Sequence, residues 1–166
     1  MKSRRKAREA ALQALYQCDT LGEWTSGCVE LYFNNFKPET GGAPVTTELI
    51  PNDNVIFSKT LINGVLEMLP FVDAQISAAS TNWSINRMCR VDRNILRLAV
   101  YEIAFLEDIP VSVSINEAIE IAKSYGTVDS PMFINGVLDN VAGSIKAHPE
   151  LVSEALNSTK KIAVNE

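Results

Sequence analysis

Histidine and cysteine are scarce in this chain of 166 residues: His148 stands alone, and the cysteines are Cys18, Cys28 and Cys89. The cysteines fall at unrelated spacings with no C-x-x-C pair, which argues against a metal centre. His148 directly precedes Pro149, where a helix should already have ended, so it lacks the ordered surroundings that a catalytic base needs. No G-x-G-x-x-G or G-x-x-x-x-G-K-[ST] motif follows a strand pattern, which leaves no dinucleotide or phosphate loop and no expected cofactor. Long apolar runs are missing as well. The best candidate, residues 55–69, is interrupted by Ser58, Lys59, Asn63 and Glu67, so no membrane span is expected. The start is basic but leads into alanine and glutamine rather than an apolar signal region, and a cytoplasmic location is expected.

What is present is a globular composition, 46% hydrophobic and 21% charged, which argues against disorder. The length suits one ordinary domain or two closely packed small bundles. No segment sustains the period-two alternation of a half-buried strand, whereas helical spacing recurs throughout. Ser3 is placed to cap a helix over about residues 4–21, with Ala7, Ala11, Ala14, Leu15 and Cys18 on one face and Gly22 as its stop. A second helix is expected over 25–36. Residues 37–54, which hold Pro38, Pro44, Pro51 and a Gly-Gly pair, read as a loop.

Asp53 or Asn54 starts a third helix to about residue 69, where Pro70 forces a break before a further helical piece to about 79. Residues 83–90 read as a short connector. Asp92 is expected to cap a central helix whose stripe is Ile95, Leu96, Ala99, Ile103 and Leu106. Ser114 and Glu117 have capping-box spacing for a helix to Tyr125, closed by Gly126. Asp129 or Ser130 caps the last long helix, with Pro131 at its first position and Ile134, Val137, Leu138, Val141, Ala142 and Ile145 buried. The expected fold is all-α, two small antiparallel three-helix bundles packed together: 1–81 with a basic arm, then 82–147, with the division near Asn82 or in the Pro70 region. Residues 148–166 read as a polar, weakly helical or frayed tail.

Charge is unevenly distributed. Lys2, Arg4, Arg5, Lys6 and Arg8 face only Glu9 among acidic neighbours, so residues 1–9 carry +4 and the remainder −9 within an overall −5. Cations in a helix's first turn oppose its macrodipole, and a local conflict of that kind marks function. Arg4, Arg8, Leu12 and Tyr16 follow one another at i, i+4 spacing, which offers guanidinium groups for phosphates and a phenol for base stacking. Tyr16 packed with its hydroxyl at the surface is the competing reading. The acidic remainder should repel nucleic acid outside the contact patch, making binding local, salt-sensitive and dependent on a second, basic protein.

Four blocks, residues 4–16 (RRKAREAALQALY), 91–103 (VDRNILRLAVYEI), 109–126 (IPVSVSINEAIEIAKSYG) and 129–138 (DSPMFINGVL), resemble the NusB family of transcription antitermination factors. The resemblance covers about residues 4–20 and 60–145. It implies two three-helix bundles without enzymatic activity, and a partner, the small ribosomal protein that doubles as NusE. The implied joint ligand is the single-stranded boxA element of ribosomal RNA leader transcripts, in a complex with other Nus factors and RNA polymerase. By motif position it implies RNA contact for Lys2, Arg4, Arg5 and Arg8, and for Tyr125, Asp129 and Phe133 around the 126–130 turn. Tyr16, Asp92 and Arg93 are implied at the NusE interface. Core packing for Phe133 and a helix cap for Asp92 remain open beside those roles, while Asn116 and Asn135 are expected to tie backbone groups. Pro131-Met132 departs from the family pattern, in which a His-Lys pair is frequent.

Two other functions compete. Similar helical domains form the RNA-binding part of some ribosomal RNA cytosine methyltransferases, but such an enzyme needs a following α/β domain, which is not expected here. A purely protein-binding helical module would make the basic arm an inert solubilising end.

Overall fold

The computed structural model describes the backbone of residues 2–35 and 52–164, and the side chains of residues 4–33 and 54–162. The Lys2 side chain, the 37–51 part of the expected loop and the last two residues of the tail lie outside the described residues, while Ser3 already lies within the first helix, which starts at Lys2, and so does not precede it as the expected cap. In order the elements are α1 (Lys2–Leu21), α2 (Ser26–Asn35), α3 (Asn52–Glu67), α4 (Leu69–Ala79), a 3-10 turn (Ile85–Arg87), α5 (Arg90–Phe105), α6 (Val111–Tyr125), α7 (Ser130–Ala147) and α8 (Glu150–Val164). The fold class is all-α, with no strand among the described residues. The chain divides into two units, Met1–Leu66 and Glu67–Glu166.

In the first unit, four alanines make α1 a strong helix former and let neighbouring helices approach closely. Ala7, Ala11, Ala14, Leu15 and Cys18 are fully buried, the stripe expected from their spacing. Gly22 adopts φ +68°, and Glu23 N–H donates to the Cys18 carbonyl at 3.0 Å while Gly22 N–H donates to that of Asp19 at 3.3 Å. This paired closure needs the left-handed conformation that glycine adopts without a Cβ penalty. Thr25 then caps α2, its hydroxyl accepting from Cys28 N–H at 3.4 Å. The Tyr32 hydroxyl donates to Gln13 Oε1 at 2.9 Å, tying α2 to α1. Phe57 of α3 lies under the guanidinium groups of α1, and Lys59 of α3 has its Nζ 5.2 Å from the Phe33 ring centroid.

The second unit is larger than the expected three-helix bundle. Helices α5, α6 and α7 pack mutually, and α4 joins them against α5 and α7, so the division falls beside Pro70 rather than near Asn82. Proline in the first turn of α4 lacks the N–H that would continue a preceding helix, which forces a new start there. The tail forms a regular helix, α8, whose Thr159 hydroxyl reaches Met68 Sδ at 3.4 Å.

Helix α5 is central, but its interior is partly polar. Ile95, Leu96, Ala99 and Val100 are buried as their spacing implies, whereas Ile103 and Leu106 are half-buried and Glu102 takes the interior place at 2% exposure. Arg97 grips Asp73 of α4 with two bonds, Nε to Oδ1 at 2.8 Å and Nη2 to Oδ2 at 3.1 Å. Its Nη1 donates to Asn94 Oδ1 at 3.0 Å.

Three further capping expectations are corrected. Helix α5 starts at Arg90 with Cys89 as N-cap, so Asp92 lies inside the first turn, not at the cap. Helix α6 starts at Val111, directly after Pro110. Ser114 and Glu117 therefore lie within the helix on its buried face, and the Ser114 hydroxyl donates to Glu102 Oε1 at 3.2 Å instead of capping. Gly126 does end α6, but at φ −94°, so left-handed backbone is not what requires glycine there. A Cβ at Gly126 would stand 2.5 Å from Ser130 Oγ and 2.9 Å from the Ala122 carbonyl oxygen; close approach excludes a side chain.

Candidate nucleic-acid interface

Along α1, Arg4 and Lys6 are exposed and Arg5 is half-buried. The Arg4 guanidinium stands 4.8 Å from the centre of the Phe57 ring, and that of Arg8 stands 5.3 Å from it. Such cation–π placement orders the arm without neutralising it. Arg8 is 4% exposed, so the fold occupies its guanidinium and gives it little surface to offer a phosphate. The i, i+4 series does not make one face either: each such step drifts by about 40° around a helix with 3.6 residues per turn. Arg8 and Leu12 consequently enter the interior while Tyr16, 42% exposed, returns to the surface.

In the second unit the 3-10 turn, the start of α5 and the turn between α6 and α7 enclose a cleft of about 400 Å³. Asp92, Asp129 and Phe133, assigned by resemblance to two different partners, line this same cleft, together with Trp83, Arg87 and Met88. Its floor at the α6–α7 turn is held by Ser130, which is buried; its Oγ accepts from Thr127 N–H at 2.9 Å and pairs with Thr127 Oγ1 at 3.2 Å. Asp129 is the N-cap of α7 but makes no side-chain capping bond, and it is exposed. Tyr125 lies at the end of α6, 39% exposed, and is not among the cleft-lining residues. Arg93 is half-buried and donates from Nη1 to the Met88 carbonyl at 3.4 Å.

Where the His-Lys pair would stand, Met132 is 83% exposed, and nearby Val128 is 95% exposed. That corner is apolar, not cationic. Trp83 and Arg87 were read merely as connector residues. A large aromatic within a polar stretch was the available signal, and Trp83 is indeed 54% exposed rather than packed away. The thiol of Cys18, by contrast, is buried among α1 and α2, and desolvation with the neighbouring Cys28 pushes its pKa up to about 12, which makes it a poor nucleophile at neutral pH.

The family model of the NusB family matches residues 5–143. The chain belongs to the NusB family. The transcription antitermination protein NusB of Geotalea daltonii is 46% identical over 145 residues, spanning 87% of this chain and 97% of that protein. The solved structure of NusB from T. maritima superposes with a TM-score of 0.71 at 38% identity, covering 84% of this chain and 90% of that one. A NusB chain solved in a complex of antitermination factors NusB and NusE with double-stranded RNA shares the fold, with a TM-score of 0.71 at 24% identity over 87% of this chain and 98% of that one. The NusB-family match thus includes the basic arm from Arg5 onward and the whole cleft.

Proposed function

We propose that this chain is a non-catalytic RNA-binding antitermination factor that takes the boxA element of ribosomal RNA leader transcripts jointly with NusE. It would act within a larger complex with other Nus factors and RNA polymerase. The observation that carries the reading is the concentration of positive charge in the first nine residues of an otherwise acidic NusB-family chain. Lys2, Arg4 and Arg5 are assigned to the transcript, with Arg4 more open than Arg5, while Arg8, buried over Phe57, supports the arm from within. Tyr125, Asp129 and Phe133 are assigned to RNA from the second unit, and Tyr16, Asp92 and Arg93 to NusE. The solved NusB–NusE complex with RNA, a distant relative, supports the choice of both partners.

The test is fluorescence anisotropy with a short boxA RNA and a scrambled control, over a salt series, with and without NusE. Preference for boxA in the presence of NusE is expected; equal binding of both RNAs by the purified pair overturns the proposal. Arg4→Ala should flatten the logarithmic salt slope by roughly 0.7 to 0.9, the contribution of one neutralised phosphate. An unaltered slope removes Arg4 from the interface.

A further inference from the structure

Phe57 belongs to α3, yet two cations of α1 converge on its ring: the Arg4 guanidinium lies 4.8 Å from its centroid and that of Arg8 5.3 Å. The three side chains differ in depth. Arg4 is exposed, Phe57 is half-buried and Arg8 is 4% exposed. Arg8 is therefore fixed by the interior, whereas Arg4 has solvent around it and a long side chain whose rotamers must be restricted before it can grip a phosphate. A carboxylate beside Arg4 would restrict them but cancel the charge that attracts RNA. An aromatic face attracts the cation through its quadrupole and leaves the net charge unchanged. The like charge of Arg8 on the same ring also disfavours Arg4 rotamers that turn inward. The ring itself is firmly seated, since Asn54, Ser58 and Leu61 of the same helix are buried.

We infer that Phe57 is a positioning residue for RNA binding, holding the Arg4 guanidinium outward and partly ordered so that it meets a backbone phosphate with less loss of side-chain freedom. The inference rests on the RNA-binding proposal above and adds to it a residue outside the basic run. Preorganisation raises affinity by lowering the cost of ordering, not by adding a contact. The ring's influence is bounded by the strength of its own contact with the cation, which at an exposed site amounts to a factor of about two to five. Direct stacking of Phe57 on an RNA base is disfavoured, because the two guanidinium groups already occupy the ring. The two roles also differ in what they need: positioning requires Arg4, whereas stacking does not.

The test is anisotropy of a labelled boxA RNA with the full chain and NusE, over a salt series, in a double-mutant cycle of Arg4→Ala and Phe57→Leu. Phe57→Leu should weaken binding about two- to fivefold in the native background, and less than about 1.5-fold where Arg4 is already alanine, because the two residues act as one unit. The logarithmic salt slope should stay unchanged in Phe57→Leu, since Arg4 still neutralises its phosphate, whereas loss of the folded arm would flatten it. Phe57→Tyr keeps the ring and should restore native affinity. Replacement of Phe57 by a trifluorinated phenylalanine preserves the ring's shape while withdrawing its π density, and should reproduce the loss even if leucine disturbs packing. Equal losses in both Arg4 backgrounds give Phe57 a structural or base-stacking role and overturn the inference, as does native affinity in the trifluorinated chain; the antitermination proposal stands in either case. Failure of the native chain with NusE to bind the RNA overturns both.

Discussion

The basic arm and the cleft present opposite chemistry. At the arm, cationic groups stand at a helix start, two of them ordered over one phenylalanine ring, and nothing in that chemistry distinguishes one nucleotide from another. At the cleft, two carboxylates, two aromatic rings and the single cation Arg87 line about 400 Å³, a surface whose net charge opposes a bare phosphate. Phosphate contacts supply affinity and position, whereas base contacts specify.

That contrast can be broken from the scaffold outward. The largest effect is expected at Arg97, which is 6% exposed and grips Asp73 through two bonds. Removing one partner of a buried ion pair costs several kcal/mol, but the Asp73 side chain is 26% exposed and can be partly rehydrated. Arg97→Ala should therefore cost about 3 kcal/mol, measured by urea denaturation; a loss below about 1 kcal/mol would show that the pair behaves as a surface bridge.

Next is Gly126→Ala, whose new Cβ would meet Ser130 Oγ at 2.5 Å. Overpacking of this kind costs about 1–3 kcal/mol. Because Ser130 lines the cleft, the substitution should also alter Trp83 emission. Unchanged stability and emission together would mean that the α6–α7 turn yields freely.

The smallest effect belongs to Asp129→Asn. Removing an exposed carboxylate beside the proposed RNA path should tighten RNA binding about two- to threefold, the scale of an exposed charge interaction. Titration at low salt measures it, and unchanged or weaker affinity would remove Asp129 from the RNA path.

Much of this was legible in the residue order. The buried face of α1, the stop at Gly22 and the apolar stripe of α7 from Ile134 to Val141 follow from helical periodicity and glycine's conformational range, both of which are local. The errors were also local in origin. A capping-box spacing at Ser114 and Glu117 is indistinguishable in sequence from two polar residues on a buried helix face, because the deciding partner, Glu102, lies on another helix. Asp92 was misplaced as a cap for a similar reason: nothing in its neighbours shows that the backbone has turned helical two residues earlier. The cleft was the least visible element, since its walls come from segments separated by about 40 residues, and Trp83 and Arg87 carry no motif.

Sequence alone determined the helical class, the placement of most helix ends, the concentration of positive charge at one terminus and the resemblance to the NusB family. These depend on near neighbours along the chain or on order, which a linear string retains. Tertiary structure decided that Arg8 belongs to the interior over Phe57, that Glu102 and Arg97 are buried with partners, and that Asp92, Asp129, Phe133 and Trp83 share one cleft. Burial and convergence depend on distances through space between residues remote in the chain, and those exist only once the helices have packed.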